Sequence, residues 1–106
     1  MAEQHDRKTE IDEEEAIREH RAVMLRDYLT EAFPDRRLAP EWWDETHGGE
    51  QCFRLDGETD YLEVRVTRPL MMGKDHTVEE IERRLGEWDP EACRHIRVSE
   101  KGLSVQ

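Results

Sequence analysis

Few side chains in this sequence are equipped for chemistry, and their spacing decides what they can do. Histidines stand at positions His5, His20, His47, His76 and His95, and thiols at Cys52 and Cys93. No two histidines have the i, i+4 spacing of a metal-binding helix, and the cysteines form no Cys-x-x-Cys pair. Cys93 and His95 share one face of an expected strand, and Cys52 has the same outward sense in another. If those strands pair, three soft ligands meet, one short of a closed tetrahedral site. The competing reading is two half-buried thiols and a solvated histidine. No Ser, Cys or Thr stands in a glycine-flanked elbow that would present a nucleophile. Carboxylates are so abundant that pairs of them carry no signal. The sequence therefore assigns no catalytic residue, no metal ligand set and no cofactor.

Binding chemistry has more candidates. Residues 73–77 lead into a helix N-terminus, where free N–H groups attract anions and Lys74 could add charge. Glu79 and Glu80 already complement that dipole, so an ordinary capped loop competes with this reading. Arg54, Arg65 and Arg97, with Tyr61, fall on the outward positions of expected strands. They could read an acidic group, or they could form a solvated sheet face with cross-strand Glu–Arg pairs. Trp42 and Trp43 are adjacent, and both cannot easily face a core. Either one covers the end of the core while the other lies over the connector, or the pair offers an anchor for a partner, as tryptophan often does. Glu13, Glu14 and Glu15 form an acidic run suited to a basic partner. Met71 and Met72 read as core filling.

These residues need elements to hold them. Tyr61 to Thr67 alternates, with Leu62, Val64 and Val66 on one side, which is the period of a half-buried strand. Phe53 and Leu55 precede it in the same sense, with a hairpin turn near Asp56-Gly57. Expected strands are 51–55, 60–68, 94–98 and 103–105. Ile17, Met24, Leu25, Tyr28, Leu29, Ala32 and Phe33 recur at helical steps, predicting a helix over 12–33 that opens on a capping box at Asp12 and Glu15. Thr77 and Glu80 make a second box, opening a helix over 77–88. Residues 35–50 read as a connector with a helical turn at Trp42, and 70–76 as a loop. The order predicts an α+β fold: a two-layer sandwich of a four-stranded, mainly antiparallel sheet with two helices on one face. Residues 1–9 are expected to be a disordered tail and 10–106 a single domain.

The chain has 106 residues, 41% charged and 35% hydrophobic, with a net charge of −11. Such charge disfavours direct binding to nucleic acid or anionic membranes. Ten acids against five bases lie in residues 1–33, while residues 51–74 are neutral. No apolar run suits a signal peptide or membrane span, so a cytoplasmic location with free thiols is expected. The resulting expectation is a non-enzymatic, acidic protein-binding or regulatory module, with a homodimer among its forms. The alternative is a small enzyme or anion-binding domain using the 73–77 loop or the arginine-bearing sheet face.

Overall fold

A computed structural model describes the backbone of residues 2–106 and the side chains of residues 12–46 and 48–106. The order is α1 (Ala2–Ala32), β1 (Arg37–Leu38), β2 (Trp42–Asp44), a 3-10 turn (Thr46–Gly48), β3 (Glu50–Asp56), β4 (Tyr61–Thr67), α2 (Arg68–Met72), α3 (Val78–Gly86), β5 (His95–Ser99) and β6 (Gly102–Val105). It is a mixed α+β fold. The six-stranded sheet runs β1-β3-β4-β5-β6, with β2 also on β3. β4 and β5 are parallel, joined through α2 and α3, and the other pairs are antiparallel.

Four of these strands fall where alternation placed them. The register sets Phe53 against Val64, Leu55 against Leu62 and Val64 against Ile96, so their side chains share one face. Leu25 and Leu29 of α1, Leu70 and Met71 of α2, and Ile81 and Leu85 of α3 join them in one buried cluster. Leu25, Leu29, Phe53, Val64 and Ile81 have no exposed surface, and each such burial stabilises by about 1.5–3 kcal/mol. Arg21 is also buried, and its guanidinium donates to the carbonyls of Leu70 and His76, both at 2.6 Å. It thereby ties α1 to α2 and to the loop that follows.

The expected four strands and two helices were too few. Residues 35–50 hold two further strands, and Trp42 and Trp43 lie in β2 rather than in a helical turn. A two- or three-residue strand carries no readable period, and only the edge of β3 makes it a strand. Residues 68–72, expected to be strand end and loop, form α2. Pro69 ends β4 but sits in the first turn of this helix, where its missing N–H costs nothing. Asp12 lies inside α1, not at its start. The expected tail at 1–9 falls on residues whose side chains are outside those described. The second capping box is present: the Thr77 hydroxyl accepts from the Glu80 N–H at 3.3 Å. Among the described residues no helix is long and apolar enough to cross a membrane.

Candidate partner-binding groove

β2 is fastened from both sides. Its register puts Trp43 opposite Gln51 and Trp42 opposite Cys52, so strand alternation sends the two indoles to opposite faces. Trp43 packs against the core, over Gly49. Gly49 has φ +98°, and a Cβ there would lie 2.6 Å from the indole, so this corner needs glycine twice over. Arg18 of α1 lies 5.3 Å from the Trp43 ring centroid and donates to Gln51 Oε1 at 3.3 Å. Arg26, two turns further along α1, pairs with Glu41 just before β2. Burial pushes the Glu41 carboxyl up, but the Arg26 hydrogen bond and charge outweigh it and hold the group low.

Between α1 and β2 runs an open groove of about 430 Å³. Ala22 and Val23 line it from the helix and Trp43 from the core side of β2, and Gln51 closes its inner side; Trp42 bounds it at the strand edge, with its indole on the outward face beside Cys52. Val23 is 47% exposed and Trp42 38%. Among the described residues only one other large apolar side chain, Val105, is as open to solvent. Glu19 stands exposed on the helical rim. Glu13, Glu14 and Glu15 continue along α1 one to two turns before it, where Glu15 pairs with Arg18 at 2.7 Å and Glu13 with Lys74 at 2.6 Å.

The outward sheet face secures β2 from beneath. Asp44 accepts from the Thr46 hydroxyl at 2.6 Å and the Thr46 N–H at 2.9 Å, and pairs with Arg65 at 2.7 Å. The Thr46 hydroxyl first, and then Arg65, hold the Asp44 carboxyl far below the usual carboxylate range. Asp44 in turn raises the Arg65 guanidinium. Glu50, buried, accepts from Arg97 at 2.5 and 3.3 Å and lies 3.6 Å from Arg65. Cys52 is enclosed among them, and burial pushes its thiol up to about 11 despite Arg65 nearby. That thiol is a poor nucleophile and a poor metal ligand at neutral pH.

The three outward arginines are therefore spoken for. Arg65 holds Asp44, Glu50 and Glu63; Arg97 holds Glu50; Arg54 holds Asp56 at 2.6 Å and lies over Tyr61 at 4.0 Å. Tyr61 stacks on His95 at 4.9 Å. Cys93 is half-buried and donates to the His95 carbonyl at 3.0 Å, and no group of three or more His, Cys, Asp or Glu among the described residues is placed to hold a metal. Sequence reasoning named Trp42 and Trp43 but missed Val23, Arg18, Arg26 and Glu41. Val23 had a readable signal, an apolar residue just off the helical stripe. The two arginines had none, since their role depends on β2 being a strand. Comparison with family models, curated proteins and solved structures returned no match for this chain.

Proposed function

We propose that this chain is a non-enzymatic protein-binding module whose partner docks in the groove between α1 and β2 and wraps the edge of β2 to reach the Trp42 indole. The observation that carries the reading is the pair Val23 and Trp42. These two exposed large apolar side chains flank the edge of β2, Val23 on the α1 side and the Trp42 indole on the outward side, on elements held in place by Arg18, Arg26 and Arg65. An amphipathic ring at the sheet edge over a fixed frame is the usual character of a binding anchor. The occupant is a protein segment with one apolar side chain for the groove and lysines or arginines flanking it. Charge complementarity supports that choice: Glu19 and the run Glu13, Glu14 and Glu15 lie along the approach, in a chain of net charge −11. A cytoplasmic setting suits the two free thiols. The alternative of an anion site on the outward face has less in its favour, because an incoming anion must displace carboxylates from Arg54, Arg65 and Arg97.

The test is selection from a random peptide display library on the wild-type chain, with Trp42→Ala as counter-selection. The expected outcome is peptides with an apolar anchor between basic residues that bind wild type and not the variant. Peptides that hold equally to both, or that lack basic flanks, would overturn the reading.

A further inference from the structure

The far edge of the sheet suggests a second contact, independent of the groove. β6 pairs only with β5. Natural edges are commonly blunted by prolines, charges or very short strands. The opposite edge has such devices: β1 and β2 are two and three residues long, with Pro40 between them. Gly102–Val105 has neither charge nor proline.

The register identifies the groups left open. The Gln106 N–H donates to the His95 carbonyl at 3.2 Å. Antiparallel ladders alternate, so Gly102, Ser104 and Gln106 direct their backbone groups to β5. Leu103 and Val105 direct theirs away from the sheet. Leu103 lies opposite Val98 and Val105 opposite Ile96, so both side chains stand on the core face. Val105 is nevertheless 76% exposed. It borders a small cleft of about 200 Å³ with Trp88, Ile96 and Leu103.

We infer that β6 is a self-association edge whose occupant is the β6 strand of a second copy, antiparallel about a two-fold through Ser104. In that register Leu103 of each copy faces Val105 of the other. The outward N–H and C=O of both residues then find partners across the axis, and the Leu103 and Val105 side chains stay on one face. A shift by one residue would oppose outward groups to groups already bonded to β5. Charge favours this edge too. Residues 94–106 carry three bases and one acid in a chain of net −11, so this edge lies outside the acidic surfaces that keep two copies apart.

The test is sedimentation velocity of the whole chain over a concentration series at low and high sodium chloride. It is joined by mild oxidation of Ser104→Cys in a Cys93→Ser background. A dimer is expected, its fraction rising with salt as the acidic surfaces are screened, and the Ser104→Cys chains should cross-link across the axis. Val105→Pro removes only an outward N–H and Val105→Lys adds charge to the edge. Both should be monomeric with wild-type circular dichroism, and Val105→Lys decides if the proline variant fails to fold. A monomer at every concentration and salt, a dimer that survives both substitutions, or one lost on Trp42→Ala instead would overturn the assignment.

Discussion

Trp42 and Trp43 are neighbours in sequence and opposites in environment. Trp43 packs on the core under Arg18, while Trp42 is open at the sheet edge. Trp43→Ala should cost about 2 kcal/mol, below the ~3–5 kcal/mol of a fully enclosed aromatic. Trp42→Ala should change stability by no more than about 0.5 kcal/mol and act on partner dissociation instead. Urea melts of the two variants measure the contrast. The same method separates Val64 from Arg65. Val64→Asp puts an unpaired charge into a site with no exposed surface and should unfold the domain. A simple solvated face would make Arg65→Ala nearly neutral. Arg65 instead helps to balance the buried Glu50, so the substitution should cost about 1–2 kcal/mol.

At the scale of elements, β2 is held by carboxylates whose pKa values lie below the ordinary range, Glu41 toward α1 and Asp44 toward β4. A depressed carboxylate adds stability above its unfolded pKa and loses it as pH falls through the folded value. The attachment of β2 should therefore be complete at neutral pH and weaken only below about pH 4. Tryptophan emission should redden there as Trp43 leaves the core, and Asp44→Asn should reduce the acid dependence. Emission that instead shifted between pH 6 and 8 would contradict this picture of β2.

Legibility divides along the same elements. β3 to β6 were readable because alternation over four to seven residues leaves little choice of face. β1 and β2 are too short to show a period. α2 hid behind Pro69, which ends one element and starts the next. The paired tryptophans were legible as a candidate anchor, but the groove was not. It exists because β2, a strand only by virtue of β3, comes beside Val23 on α1.

On the scale of the whole molecule, length and charge dominate. α1 has 31 residues, about 46 Å at the usual rise, in a body of 55 × 26 × 24 Å. The acidic run on α1 lies along this long axis. Raising sodium chloride from 0.1 to 1 M shortens screening from about 10 to about 3 Å. Self-repulsion falls while apolar burial is kept, so the melting temperature should rise with salt. A complex with a basic segment should respond in the opposite sense and weaken, chiefly through slower association. Charge reversal at Glu13, Glu14 and Glu15 should reproduce that loss without reproducing the dissociation effect of Trp42→Ala.

The most direct measurement is a titration of a library-selected, lysine-flanked peptide into the labelled chain, followed by amide chemical shifts, with wild type and Trp42→Ala side by side. The groove account predicts perturbations confined to residues 18–26 and 41–43, and affinity weakened about thirtyfold by the substitution, the scale of a 2 kcal/mol anchor. Perturbations centred on Arg54, Arg65 and Arg97, with affinity unchanged in Trp42→Ala, would contradict it.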